Sequence, residues 1–88
     1  MMNQSIIFAD DQRISADRQA VHFDAQQSGV MIPCFVAIAD LQKHHQGELT
    51  SEKAILDVFS QYRFDYEDLA QEAIEAEDIN ERGEVWVS

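Results

Sequence analysis

The sequence predicts an α+β fold: a small antiparallel sheet, with elements in the order β-β-β-α-α-β, and two main helices packed on one face of it. Three observations support this fold class. Apolar residues alternate with a period of two in the first half of the chain, and they recur at helical spacing in residues 52–74. The segment Glu84–Val87 is a short run rich in valine and tryptophan that returns to the sheet as a final strand.

Three strands are predicted in the first half of the chain. Ser5–Ala9 is a short apolar run, and Ala20–Ala25 alternates between apolar and polar residues as a half-buried strand does. Val30–Ile38 is apolar on both faces. Because Gly29 can take a positive φ in the turn between the last two, we expect Ala20–Ile38 to form a hairpin.

Two main helices follow, after a short helical turn over Ala39–Gly47. The first begins at an N-cap on Thr50 or Ser51; the second begins at an N-cap on Asp65, which places Arg63 near the end of the first. No glycine or proline separates them, so one long kinked helix is the alternative. The buried stripes are predicted to be Ala54, Ile55, Val58, Phe59 and Tyr62 in the first helix, and Tyr66, Leu69, Ala70, Ala73 and Ile74 in the second.

Length and cysteine content set the class of protein. A chain of 88 residues is expected to form a single domain over residues 1–88. One cysteine excludes an internal disulfide framework and favours a reducing, cytoplasmic location. The N-terminal residues lack the pattern of a secretory signal, and no apolar run approaches the roughly 20 residues of a membrane span.

Acidic residues dominate the charge: 17 acids against 6 bases give a net charge of −11. Residues 65–84 hold nine of these acids and a single base, Arg82, so their local charge is −8. Phosphate backbones and anionic membranes would be repelled, so we expect no direct nucleic-acid binding and no membrane binding. A basic protein partner is compatible with this charge, and so is solubility alone.

Four segments form a recognisable pattern: AVHFDA, GVMIPCFVAI, FSQYRFDYEDLA and GEVWV. Together they resemble the domain-of-unknown-function family 1488, a family of small proteobacterial proteins. The resemblance runs from Ile6 to Val87, and its most specific parts are the IPC strand and the start of the second helix at Tyr62–Asp65. Ala39 departs from the serine expected after the strand. The resemblance implies a compact α+β fold and no activity, because none is assigned to the family.

An acidic ridge is the first candidate surface. Asp68, Glu72, Glu75 and Asp78 are spaced four, three and three residues apart, so on one helix they form a continuous row. The row lies opposite the apolar stripe, where carboxylates stay hydrated and lack the burial that raises a catalytic pKa. It is therefore interpreted as a solvated face or as a docking face for a basic partner.

The second sheet face is the other candidate surface. If Val85 and Val87 join the core, Trp86 points to the face that the helices leave uncovered. An exposed apolar patch there predicts a two-fold homodimer; the alternative is that the N-terminal segment or the loop Asp10–Gln19 folds over it. The candidate side chains on this face are Met31, Phe35 and Trp86, with Ile7 as a further member.

Single residues give weaker indications of chemistry. Arg63 is interpreted as the partner of Glu67, with an anion contact as the sharper alternative. Cys34 is predicted to be a buried, unreactive thiol. The segment Asp78–Gly83 resembles the start of a calcium loop, but Arg82 stands where a ligand is needed. We expect no catalytic residue, no metal site and no cofactor.

The sequence therefore predicts a small acidic cytoplasmic protein that acts as a protein-interaction or regulatory module without catalysis. The alternative is a small ligand-binding protein or enzyme with a pocket between helices and sheet near Tyr62, Arg63 and Cys34. A closed pocket with convergent polar groups would favour that alternative.

Overall fold

A four-stranded sheet and three helices make up residues 6–88, the part of the chain that the computed structural model describes. The sheet order is β1-β2-β3-β4. The α+β fold predicted from the sequence is confirmed, and the helices pack on one face of the sheet. The strands are β1 (Ile6–Ser15), β2 (Ala20–Gln27), β3 (Val30–Ala37) and β4 (Val85–Trp86), and the helices are α1 (Ile38–Gln42), α2 (Glu52–Gln61) and α3 (Arg63–Glu75).

The predicted hairpin is confirmed as β2 and β3, which pair antiparallel along their whole length. Ser28 and Gly29 form the turn with φ values of 54° and 80°. Two successive positive φ values are the geometry of a type I′ turn, whose twist matches that of the strands it joins. The turn residues therefore fix the register that puts Phe23 opposite Cys34 in the core.

β1 is longer than the sequence indicates. Its predicted start, Ser5, lies outside the described residues, but its end is Ser15 rather than Ala9. Pairing with β2 is interrupted between Phe8 and Gln12, where three residues of β1 oppose the single residue Asp24. This bulge lets the strand resume its pairing with β2 after a stretch of polar residues.

The last strand differs from the expected antiparallel arrangement. β4 pairs with β3 in the parallel direction, with Cys34 opposite Val85 and Phe35 opposite Trp86. The remaining pairs in the sheet are antiparallel, so the sheet is mixed. Because β4 is the final strand in the sheet order, one of its sides has no strand neighbour among residues 6–88.

The two main helices are separated by one residue, Tyr62, whose φ of −112° and ψ of 14° depart from helical geometry. The Ser51 hydroxyl caps α2 by accepting a hydrogen bond from the Ala54 amide at 3.1 Å, as predicted. The predicted N-cap of the second helix, Asp65, is wrong: the N-cap is Tyr62, three residues earlier, so Arg63 opens α3 instead of closing α2.

The core lies between the inner sheet face and the helices. Phe59 of α2 packs its ring against Phe23 at 5.2 Å and against Tyr66 of α3 at 5.6 Å, and so joins both layers. The predicted stripe of α3 is correct for Tyr66, Ala70 and Ile74, which are buried. It is wrong for Leu69, whose surface is 46% exposed because it lies at the margin of the helix–sheet contact, beside β4.

Candidate functional site

The junction of α2 and α3 is tied to the bulge of β1 by Arg63. Its guanidinium donates to the backbone carbonyls of Ala9 and Asp10, the latter at 3.0 Å, and to the Gln12 side chain at 2.7 Å. Its Nε donates to Glu67 at 2.6 Å, which is the ion pair predicted from the sequence. Carbonyls that the bulge removes from the strand ladder thus find a donor in this side chain.

Gln12 completes the same contact from the sheet side. Its amide nitrogen donates to the Ser60 hydroxyl at 2.6 Å and to the Leu56 carbonyl at 3.4 Å. The sequence offered Arg63 as a candidate anion contact, yet these bonds occupy the guanidinium with groups of the chain itself. The geometry gives Arg63 a structural role at the junction.

Cys34 is fully buried in the middle of β3, as the sequence predicts. Its thiol donates a weak hydrogen bond to the Ile32 carbonyl at 3.5 Å, and burial raises the pKa of the thiol to about 12. A thiol of this kind is neutral at physiological pH and a poor nucleophile.

The second sheet face is partly closed by its own aromatic residues. Phe35, predicted to be an exposed interface residue, is only 5% exposed. Trp86 stacks on its ring at 4.8 Å and His22 lies on it at 4.7 Å. Arg18 covers the same ring, with its guanidinium carbon 5.0 Å from the ring centre. The prediction of exposure is wrong because the edge strand brings Trp86 directly over Phe35.

Glu84 organises this aromatic cluster. Its two carboxylate oxygens accept hydrogen bonds from Arg18 at 3.1 and 2.6 Å, in the two-bond geometry typical of arginine–carboxylate pairs. Asn80 and the Trp86 indole each donate to it at 3.2 Å. These donors, Arg18 above all, lower the pKa of the Glu84 carboxyl to about 2 against some opposing desolvation.

Other members of the second face stay open. Ile7 and Met31 are each more than half exposed, and both lie in register with Gln26 of the strand between them. Trp86 itself keeps 38% of its surface exposed. Of the predicted interface residues, Met31 and Trp86 are therefore accessible, while Phe35 is not.

The predicted acidic ridge is exposed but shorter than a continuous helical row. Asp68, Glu72 and Glu75 lie on α3, which ends at Glu75. Asp78 follows two turn residues, one of which, Glu77, has a φ of 60°, so the prediction of Asp78 as part of the helix is wrong. No described residue forms an ion pair with Asp68, Glu72 or Asp78.

A groove joins the two predicted surfaces. It has a volume of about 340 Å³ and lies between α3 and β4. Leu69 and Trp86 form part of its apolar lining, and Glu72 and Asp78 supply its carboxylates. Tyr62, Arg63 and Cys34, the residues around which the sequence placed a pocket, do not line it. The full lining is Leu69, Glu72, Ala73, Ala76, Asp78, Trp86 and Val87.

Sequence reasoning did not find Arg18 and Glu84 as partners. They are 66 positions apart in the sequence. Each lies in a polar segment, and the residue pattern indicates a loop around Arg18 and the start of a strand at Glu84. A weak signal existed in Glu84, a charged residue directly before two apolar residues of the final strand. Gln12 was missed because it is a polar residue at a position of β1 that faces the helices.

Within residues 6–88, no three or more histidine, cysteine, aspartate and glutamate side chains are grouped so that they could hold a metal ion. The helices of that region include none with the length and apolar character needed to cross a bilayer.

The fold and the surfaces together define a small acidic α+β domain with an aromatic cluster on one sheet face and a groove beside its edge strand. Residues 6–87 match a family described as a protein of unknown function, DUF1488, and the chain belongs to that family. The resemblance found in its sequence motifs is thereby confirmed.

The chain is also similar to individual proteins of known sequence or structure. It is 29% identical to the uncharacterized protein YrdB of Escherichia coli (strain K12) over 86 residues, which are 98% of this chain and 99% of that protein. The YrdB protein of Shigella flexneri matches to the same extent. A crystal structure of a DUF1488 protein of unknown function from Shewanella loihica PV-4 superimposes with a TM-score of 0.91 and 34% identity, covering 98% of this chain and 94% of that one.

Proposed function

We propose that this protein is a non-catalytic interaction module that binds a basic protein partner through the acidic face of α3 and the turn after it. We define this acidic face as Asp68, Glu72, Glu75 and Asp78. The observation that supports the proposal is that these carboxylates are exposed and form no ion pair within the described residues. A matching positive surface would relieve their mutual repulsion.

The distribution of charge supports the same proposal. Some other acids form ion pairs, as Glu84 does with Arg18 and Glu67 does with Arg63. No ion pair among the described residues neutralises the acidic face, and the net charge of −8 over residues 65–84 strengthens the negative electrostatic field around it. Such a field steers a basic partner toward this face. The regulatory role and the cytoplasmic location predicted from the sequence remain predictions.

Affinity capture from host lysate tests this proposal. The full chain is immobilised, and bound proteins are eluted by a rising salt gradient and identified by mass spectrometry. We expect basic proteins that leave the column as salt rises, because salt screens exposed charges. The proposal would be contradicted if the captured proteins show no excess of basic members. It would also be contradicted if salt does not release them.

We also propose a homodimer through the second sheet face, as a separate interaction. The exposed Ile7 and Met31 support it, because apolar side chains on an open sheet face gain free energy when a second copy covers them. Light scattering at increasing concentration measures the assembly. Met31→Lys is expected to abolish it, whereas Val30→Lys, a neighbour on the opposite face with similar exposure, should not. A wild-type protein that stays monomeric at high concentration would contradict the dimer.

A further inference from the structure

Apolar and acidic side chains together line the groove between α3 and β4. Leu69 and Trp86 are large apolar side chains that remain 46% and 38% exposed where they line it. Ala73 and Ala76 are small, so they leave space between the helix and the strand. The exposed parts of these two side chains are available for contact with a partner.

The rim of the groove carries one sign of charge. Glu72 and Asp78 line it, and no described base pairs with either of them. Asp78 occupies this place because the chain turns at Glu77, with its φ of 60°, and returns toward β4. The break that removes Asp78 from the helical row thus brings its carboxylate to the groove.

Polar groups inside the groove do not converge as they do in an enzyme site. The nearby Glu84 is already paired with Arg18 and Asn80, and the Trp86 indole already donates to Glu84. The groove therefore offers apolar contact from Leu69 and Trp86 and anionic contact from Glu72 and Asp78. The complementary ligand carries a large apolar group flanked by cations.

We propose that the α3–β4 groove is the point at which a lysine- or arginine-rich segment of a partner protein inserts one large apolar side chain. This inference rests on the proposed binding of a basic partner and assigns the anchor site for it. The acidic face supplies long-range attraction, and the groove supplies the short-range contact that distinguishes one basic segment from another. The groove volume of about 340 Å³ is large enough for one apolar side chain.

Trp86 provides the readout, because it is the only tryptophan of the chain and it lines the groove. The probe is a short blocked peptide with one leucine between flanking lysines and with no aromatic residue. Two matched peptides replace the leucine by alanine or the lysines by glutamates. Insertion of an apolar group beside a half-exposed indole removes water from it and shifts its emission to shorter wavelength. We expect the shift with the leucine–lysine peptide alone.

Two variants of α3 locate the binding. Leu69→Ala removes an exposed apolar side chain that lines the groove, and we expect it to weaken peptide binding about tenfold, as a lost anchor contact does. Phe64→Ala is the matched control, because Phe64 is a large apolar residue of the same helix, is 81% exposed and does not line the groove. The Phe64→Ala variant should bind the peptide with the same affinity as the wild type. Both residues are exposed, so both variants should fold.

The outcomes separate the groove from the wider proposal. If the alanine peptide binds as tightly as the leucine peptide, the attraction is electrostatic only. The groove inference is then wrong, but the proposal of a basic partner is still supported. Equal weakening by Leu69→Ala and Phe64→Ala would also overturn the groove. If no lysine peptide binds but basic proteins are still captured from lysate, the proposal of an anchor site in the groove is wrong. The proposal that the acidic face binds a basic partner then stands. If no lysine peptide binds and no basic proteins are captured from lysate, both proposals are overturned.

Discussion

Arg18 and Glu84 form a two-bond ion pair across the outer sheet face, with nitrogen–oxygen distances of 3.1 and 2.6 Å. The pair connects the turn between β1 and β2 to the start of β4. Arg18 also lies over Phe35 and Trp86, so the ion pair and the aromatic stack support each other. A two-residue strand at the sheet edge is held by this cluster as well as by its backbone bonds.

The first prediction concerns acid stability. The pKa of Glu84 is lowered to about 2 in the folded protein, from an ordinary value of 4.5. The stabilisation from its charged form is therefore complete above pH 4.5 and is lost as the pH falls toward about 2. We expect the difference in unfolding free energy between wild type and Glu84→Gln to shrink over that range, measured by urea unfolding. Glu48→Gln, an exposed control, should show no such trend, and a constant difference for Glu84→Gln would contradict the role of the pair.

The second prediction concerns the aromatic stack. Trp86→Ala uncovers Phe35 and removes a stacked ring pair, so we expect a loss of about 1–3 kcal/mol in unfolding free energy. Chemical denaturation measures the change. Phe64→Ala deletes an aromatic ring that is 81% exposed and should change stability by less than about 0.5 kcal/mol. Equal effects of the two variants would show that Trp86 contributes no packing on this face.

The third prediction concerns the bulge. Arg63→Ala leaves the Ala9 and Asp10 carbonyls and the Glu67 carboxylate without their donor, so we expect a loss of about 2–4 kcal/mol in unfolding free energy. Arg63→Lys keeps the positive charge, but lysine cannot donate to all of the same acceptors. Its unfolding free energy should lie between that of the wild type and that of Arg63→Ala. Lys53→Ala removes an exposed pair with Asp57 and should cost less than about 1 kcal/mol. An Arg63→Ala protein as stable as Lys53→Ala would contradict the structural role.

The fourth prediction concerns Cys34. Its thiol is fully buried and its pKa is raised to about 12, so an aromatic disulfide reagent should not label the folded protein at mildly alkaline pH. The denatured chain should react at once with one equivalent. Absorbance of the released thiolate follows the reaction. Rapid labelling without denaturant would show that β3 opens or that the thiol is accessible.

Local rules of sequence account for much of the fold. The two-residue alternation located β2, a continuous apolar run located β3, and Gly29 located their turn, because these signals depend only on neighbouring residues. Ser51 was one of the two N-caps proposed for α2 for the same reason. Long-range pairing lies beyond such rules. The extension of β1 past Asp10 depends on a bulge that Arg63, more than fifty residues later, holds in place.

The candidate surfaces show the same limit. Periodicity placed Trp86 and Phe35 on the outer face correctly but could not show that one stacks on the other, because this depends on which strand β4 joins. It placed Asp68 and Glu72 on an exposed helix face correctly. It extended that face to Asp78 because no glycine or proline marks the turn at Glu77.

The most direct test of the central proposal compares two charge reversals in quantitative capture from lysate. Asp68→Lys with Glu72→Lys reverses the acidic face, and Glu48→Lys with Glu52→Lys reverses two exposed acids outside α3 and β4. Each pair raises the net charge from −11 by four units, to −7. We predict that the first pair lowers capture of basic proteins by about tenfold or more and that the second leaves it near the wild-type level. Equal capture by both variants would contradict the proposal that the acidic face of α3 binds a partner.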